Sequence, residues 1–322
     1  MANVYPGISA KEVIGSFYMR LEEVLGAGWA GALSMMFEST QASETYKWLG
    51  MAPALREWIG GRQPKGFREN GLTIANKKWE ATLAIEVDDL RRDKTGQLDI
   101  RIGELATRAG QHWEKLLSIL IDEGASRVCY DGQFFYDTDH EEGDSGVQSN
   151  ALTDSDYSEL EVVNKDNPTA NEFADALLKV IQHQYGYLDD QGEPMNGSAM
   201  SFLCMVPVGL WGAALVATTR QMLNTGSGTI DNVISQNNAF NVIPVPNPRL
   251  SWTDQFVVFR QDGGVSPLIR QEEEGVTVKV QGDGSPEEFH NDRHLYGLKM
   301  IGNVGYGYWQ YATHATFSTA TP

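Results

Sequence analysis

Apolar residues recur at three- and four-residue steps through Ile102, Leu105, Ala106, Ala109, Trp113, Leu116, Leu117, Leu120 and Ile121. That spacing puts them on one face of a helix. With Asp99 as N-cap and Gly124 as C-terminal stop, it predicts a single helix over 99–124, about 36 Å long at the usual rise. Leu105, Trp113, Leu116 and Leu120 are its expected core residues. Just upstream the period changes to two. Trp79, Ala81, Leu83, Ile85 and Val87 alternate with polar or small residues, predicting a strand with one apolar face. A run from Gly66 through Phe67 and Arg68 to Asn70-Gly71 is read as the opening arm of the same long, charged hairpin over 62–98, with Asn70-Gly71 a candidate tight turn. The apolar partner of that hairpin need not belong to the same subunit.

Elsewhere the spacing of Val13, Ile14, Phe17, Tyr18, Leu21, Val24 and Leu25 predicts an amphipathic helix over 9–25. A second helix is expected over 44–58 and another over 170–184, with Phe173, Leu177, Leu178 and Ile181 on one face. The stretch 200–223 reads as a strand followed by a small-residue helix. Short strands are expected at 242–246 and 256–259, and a return begins at 276–280. The aromatic, β-prone run 295–317 is expected to pass as one strand back along the 99–124 helix. Residues 137–156 form an acidic surface loop by composition.

The chain has 322 residues, 41% of them hydrophobic, with 8 Trp, 12 Tyr and 12 Phe. That is enough for one or two packed domains and argues against disorder. The net charge of −18 disfavours tight binding to a phosphate backbone, which needs clustered Lys and Arg. The two cysteines, Cys129 and Cys204, lie in apolar runs and read as buried thiols. Met1 to Pro6 carries no basic segment leading into an apolar core, so no secretion signal is read there. The longest apolar run, 202–217, is interrupted by Pro207, Gly209 and Gly212 and is shorter than the ~20 residues of a membrane span.

Candidate chemistry narrows quickly. Gly143-Asp144-Ser145-Gly146 copies a serine-protease nucleophile motif, but only His112 and His140 precede it and a second glycine is missing after Gly146. Asp93-Lys94-Thr95-Gly96 copies the start of an ion-pump motif, yet Gln97 follows and membrane helices are absent from the pattern. Asp137, Asp139, Glu141 and Asp144 resemble part of a calcium loop, but Glu142 and Gln148 stand at the positions needing Gly and Glu. A loose cation site there is left open. His290 and His294 are four apart, and Glu287, Glu288 and Asp292 complete no recognised metal signature. No phosphate-binding loop occurs. No catalytic, cofactor or metal residue is assigned, and no enzymatic activity is expected.

Gly71-Leu72-Thr73-Ile74 to Gly96, the long helix, Val128-Cys129-Tyr130-Asp131-Gly132-Gln133-Phe134-Phe135, Phe202 to Pro207, Tyr296-Gly297-Leu298-Lys299 and Gly305-Tyr306-Gly307-Tyr308-Trp309-Gln310 follow one another in an order that resembles the major head subunit of Mu-type tailed phages. The resemblance covers roughly residues 40–317. It implies the HK-ninety-seven capsid fold, an α+β architecture. Its parts would be an N-terminal arm (1–61), an E-loop hairpin (62–98), a peripheral domain (99–167, spine helix 99–124), an axial domain (168–275) and a return to the peripheral domain (276–322). It implies a major capsid protein whose hexamers and pentamers build an icosahedral head around double-stranded DNA. The implied locations are the virion and, during assembly, the bacterial host cytoplasm. Implied partners are a scaffolding protein, a head protease and a portal, with a decoration protein left open; no membrane is involved. Phe67, Arg68, Lys77, Lys78, Trp79, Leu83, Ile85, Arg91 and Arg92 are the expected inter-subunit residues. Trp79, Leu83 and Ile85 are expected to bury against a neighbour. Some capsids of this fold crosslink an E-loop Lys to an Asn; Lys77 and Lys78 with Asn232, Asn237 or Asn238 could mimic that pairing but show no dedicated signature. The alternatives are a nanocompartment shell of the same fold and a cytosolic metal-dependent hydrolase using Asp137 or Asp139.

Overall fold

The computed structural model describes residues 10–25, 28–47, 71–92, 97–224, 228–237 and 239–320. Its largest feature is a sheet in the order Ser34–Glu38, Leu268–Gln281, Arg293–Tyr306, Lys77–Glu86. The first pair is parallel and the others antiparallel. The two central strands have 14 residues each, about 45 Å at the usual rise. Strict alternation in Arg293–Tyr306 turns His294, Tyr296, Leu298, Met300 and Val304 to one buried face.

Helices cover that face. Val13, Phe17 and Leu21 from Ala10–Leu25 and Ile102 and Ala106 from Gln97–Gly110 close over Ile85, Tyr296 and Leu298. Trp113, Leu117 and Leu120 from His112–Asp122 pack on Met300, Val304 and Tyr306. The expected single helix over 99–124 is thus two segments meeting at Gln111. Backbone bonds from Gln111 N to Thr107 O and from Lys115 N to Gln111 O, both 3.0 Å, keep the path nearly continuous. Asp99 is not the cap. The helix starts earlier, and Asp99 instead accepts from Ser16 Oγ at 2.6 Å.

A second sheet has the order Asn241–Pro246, Ser201–Val206, Gln255–Arg260, Ala312–Thr316, Ala151–Leu152. Ser201–Val206 is buried on both faces, which explains its unbroken apolar run. Phe202, Cys204 and Val206 face the helices Ala170–Tyr185 and Val208–Thr219. Leu203 and Met205 face the core that the first sheet shares. Pro244 and Pro246 lie in the edge strand, where the missing N–H costs no ladder bond. Thr169 and Glu172 form a reciprocal capping box at the start of Ala170–Tyr185.

Three expectations change. The run 295–317 is not one strand: after Tyr306 the chain makes a 3-10 turn at Trp309–Tyr311 and enters the other sheet as Ala312–Thr316. The boundary at 275/276 falls inside the strand Leu268–Gln281. Residues 43–46, partly expected in a helix over 44–58, are a strand paired with Leu72–Ala75; 48–58 lie outside the described residues. The strand Lys77–Glu86 pairs with Arg293–Tyr306, while the proposed opening arm at 66–70 lies outside the described residues.

The glycine–aromatic run earns its glycines from close approach. A Cβ on Gly302 would come 2.5 Å from Gln271 O and 2.9 Å from Trp113 Cη2. One on Gly307 would fall on Ser266 O and 3.1 Å from the Pro267 carbonyl carbon. These neighbours are mostly backbone and cannot swing away. We therefore expect Gly307→Ala to cost about 1–3 kcal/mol by overpacking, measured by urea unfolding of the unassembled chain. A cost near zero would mean that this crossing relaxes freely.

Candidate assembly surface

The strand Lys77–Glu86 is the outer strand of its sheet among the described residues. Most of its side chains, including Lys77 and Lys78, are exposed. An unpaired strand edge of this length is a template for pairing or covering by another chain. The expected apolar contacts resolve differently. Ile85 is buried at 4% exposure within its own subunit, against the helix Ala10–Leu25 and its neighbours. Leu83 is half-buried against the same cluster. Trp79 donates Nε1–H to Gly302 O at 2.9 Å and sets its ring edge-on to His112, 4.7 Å between centroids. Of the three, Ile85 is thus covered by the chain's own helices, while Trp79 and Leu83 stay half-buried and border an open groove. Arg92 is exposed and pairs with Asp88 at 2.8 Å. Phe67, Arg68 and the Arg91 side chain lie outside the described residues.

Between the edge strand and the long helix runs a groove of about 790 Å³. Its lining includes apolar Leu83, Leu105, Leu298 and Met300. Of the expected helix-core residues, Leu105 therefore borders the groove, whereas Trp113, Leu116 and Leu120 are buried. Arg101, Arg108 and Lys115 stand at seven-residue steps along the helical wall, all exposed. Arg249 joins them, its guanidinium donating to Gln111 Oε1 at 3.4 Å and lying 3.9 Å from Glu114 Oε2. Glu80 and Glu104 are the acidic lining residues, so the surface is locally cationic on a chain of net charge −18. The heptad spacing of these cations is the signal that marks this surface in the sequence.

A second exposed feature is apolar. Met200, Val208, Trp211, Met222, Ile230, Val233 and Ile243 all keep 39–61% exposure. They fall in 200–243, around the helix Val208–Thr219 and the edge of the second sheet. Large apolar side chains left exposed in this number are a feature that contact surfaces share.

The catalytic look-alikes are structural. Ser145 Oγ donates to Gly146 O at 2.8 Å and accepts from Glu142 N at 3.0 Å. His140 lies with Nδ1 2.5 Å from Asp131 Oδ2 and Nε2 3.2 Å from Asn150 Oδ1, so it does not serve Ser145. Asp137 accepts from Phe134 N and Thr138 N at 3.0 and 2.8 Å; burial opposes its charge, but these bonds hold its carboxyl below the usual range. Its hydrogen bond to Asp139 pushes that neighbour up. Burial raises both thiols, Cys129 and Cys204, and both are free. Asn232 is 1% exposed and donates to Ala217 O and Arg220 O, both at 2.7 Å. Asn237 likewise ties down a helix end. Both amides are thus held by backbone carbonyls of their own subunit, and Asn238 lies outside the described residues. Among the described residues no helix is long and apolar enough to cross a membrane.

Comparison with known proteins agrees with a shell subunit. The family model described as Mu-like prophage major head subunit gpT matches residues 20–169 and 233–320. The Mu-like prophage FluMu major head subunit of Haemophilus influenzae is 36% identical over 145 residues, 44% of this chain and 47% of that protein. The major capsid protein of Escherichia phage Mu is 36% identical over 108 residues, 34% of this chain and 35% of that one. The alignments thus span about half or less of these relatives' own lengths. A chain of the procapsid of bacteriophage JBD30 superposes with a TM-score of 0.54 at 21% identity, covering 97% of this chain and 76% of that one. That likeness identifies the fold as the tailed-phage capsid fold. With the family model matching most of its length, the chain belongs to the Mu-like prophage major head subunit family.

Proposed function

We propose that this chain is the major capsid protein of a Mu-like phage or prophage, and that its copies associate as hexamers and pentamers in a closed icosahedral shell around double-stranded DNA. The observation that supports this reading best is the pairing of an exposed sheet edge at Lys77–Glu86 with the cationic, apolar-floored groove beside it. Closed symmetry would cover both on every copy. The protein acts as a building block without catalysis, in the virion once assembled and in the host cytoplasm before that. A scaffolding protein, a head protease and a portal are its partners during assembly. Within the subunit, the long sheet with its two-segment helix is assigned to the peripheral domain. The sheet around Ser201–Val206, with its exposed apolar residues, is assigned to the axial domain that meets its copies at the local symmetry axis. Lys77, Lys78 and Arg92, with the half-buried Trp79 and Leu83 at the groove, remain the candidate inter-subunit contacts on the flap.

Electron microscopy with size-exclusion chromatography tests this. The expected result is uniform shells, or capsomer rings that close when a scaffold is co-expressed. Arg101→Glu/Arg108→Glu is expected to leave a folded, soluble subunit while closed shells fall below detection, because reversing two charges sets like against like across a contact. A wild-type monomer or dimer indifferent to concentration and scaffold would overturn the shell reading. Shells of normal yield from the double variant would remove the groove from it. DNA-free shells carrying protein cargo would reassign the chain to a nanocompartment.

A further inference from the structure

The connection between the two longest strands is compactly folded. After Gln281 the chain passes Asp283 and Gly284, the latter at φ 76°. It enters the short helix Pro286–Asn291 under a Ser285 cap, whose Oγ accepts from Glu288 N at 3.2 Å. Asp292 then takes a left-handed conformation, φ 50°, and the return strand begins at Arg293. This path carries two carboxylates back onto His294, the second residue of that strand.

His294 is 6% exposed and its Nε2 is buried without a hydrogen-bond partner. Asp283 Oδ1 and Glu288 Oε1 each lie 3.5 Å from that nitrogen. The separation is too long for a good N–H···O bond, which falls at about 2.7–3.2 Å. It matches the edge of a coordination tetrahedron instead: ligands about 2.0–2.1 Å from a zinc ion stand about 3.3–3.4 Å apart. All three ligand atoms lie within 4.8 Å of one another. Glu288 Oε2 accepts from Gly284 N at 2.6 Å, which orients the carboxylate from behind. Two residues along on the same buried face, the Tyr296 hydroxyl is also buried without a hydrogen-bond partner.

We propose that Asp283, Glu288 and His294 bind one divalent transition-metal ion of the zinc class, closing the end of the long hairpin. One imidazole and two carboxylates supply three ligands and balance the ion's charge, leaving a fourth position for water. Magnesium and calcium call for six or more oxygens, so the imidazole selects the softer ions. His290 and His294 drew attention in the sequence by their spacing. The third ligand, Asp283, sits eleven residues before His294, and only the folded connector brings it there.

The test uses the purified, unassembled chain freed of metal. Calorimetric titration with Zn²⁺ is expected to show one site per chain, and Co²⁺ the visible absorption of a tetrahedral centre. Asp283→Asn is expected to weaken binding by at least about tenfold. Its side chain is 97% exposed, so the fold should not depend on it. His294→Ala is expected to abolish saturable binding. No saturable binding by wild type, or unchanged binding in Asp283→Asn, would overturn the proposal. A chain that forms shells yet ignores zinc would sink the metal site and leave the capsid reading intact.

Discussion

Trp309→Ala should cost about 3–5 kcal/mol of subunit stability, the range for emptying a large aromatic from a closed core. Trp309 is fully buried in the 3-10 turn where the chain crosses from one sheet to the other. Its ring stacks on His140, 4.0 Å between centroids and 8° from parallel, and meets Tyr187 edge-on at 5.4 Å. Beneath it Asn150 donates to Phe135 O at 2.8 Å and to Ala312 O at 3.2 Å, stitching the 131–150 loop to the same crossing. The cavity would therefore open at a junction of three segments, none of which can collapse without breaking buried hydrogen bonds. Against a total stability of about 5–15 kcal/mol, such a loss leaves few subunits competent to assemble. Urea unfolding of the unassembled chain measures it, with Trp309→Phe as the control that keeps a ring over His140. A cost under about 1 kcal/mol would mean that the turn repacks and does not anchor the crossing.

What the amino-acid pattern made legible was local. Period-two burial at Trp79, Leu83 and Ile85 and period-3.6 burial in 102–121 survive in the structure because each follows from backbone geometry alone, although Ala81 is exposed and Val87 already opens a helix. The alternating faces of Ser201–Val206, split between two cores, explain why that strand reads as a continuous apolar run. The partner of each face was not legible, because it depends on contacts distant in sequence. Val13 and Phe17 cover Ile85 from some 70 residues upstream, so one end of a face that looked free for a neighbour is filled at home. The run 295–317 is uniformly aromatic and β-prone, and nothing in its propensity marks the turn at Trp309–Tyr311. Gly307 was the available clue. The same limit applies to the surface: Arg101, Arg108 and Lys115 share a helical face by spacing, but a groove exists only because the edge strand lies across from them.

This separation of filled and unfilled surfaces bears on assembly. Ile85 belongs to the subunit's own core and Trp79 is bonded to Gly302 O, so substituting them would confound unfolding with failed assembly. The exposed cations of the groove and the exposed apolar residues of 200–243 contribute little to the subunit's own core. Variants there separate the two effects, which is why the charge reversal rather than a tryptophan deletion carries the assembly test.

Lowering the pH should destabilise the subunit through His314, and His314→Phe should remove that component. His314 lies in the strand Ala312–Thr316 at 7% exposure, stacked on Tyr136 at 4.8 Å and set edge-on to Trp252 at 5.1 Å. Its Nε2 stands 3.1 Å from Gln255 Oε1. Burial drives its pKa from 6.5 down to about 4, with the Asp254 charge opposing only in part. A histidine that resists protonation when folded binds fewer protons than when unfolded. Its contribution is therefore fully present above the unfolded pKa and is lost as pH falls from about 6.5 towards about 4. At about 1.4 kcal/mol per pH unit, the loss approaches about 3 kcal/mol by pH 4. Carboxylates held low by hydrogen bonds, Asp137, Glu172 and Asp262 among them, add acid sensitivity of their own near the bottom of that window. The informative quantity is thus the difference between wild type and His314→Phe, followed by urea unfolding at pH 7, 6, 5 and about 4. The expected difference grows steadily in the variant's favour below pH 6.5, whatever the offset at pH 7. A difference that stays flat across the series would mean that His314 takes up its proton in the folded subunit as readily as in the unfolded chain.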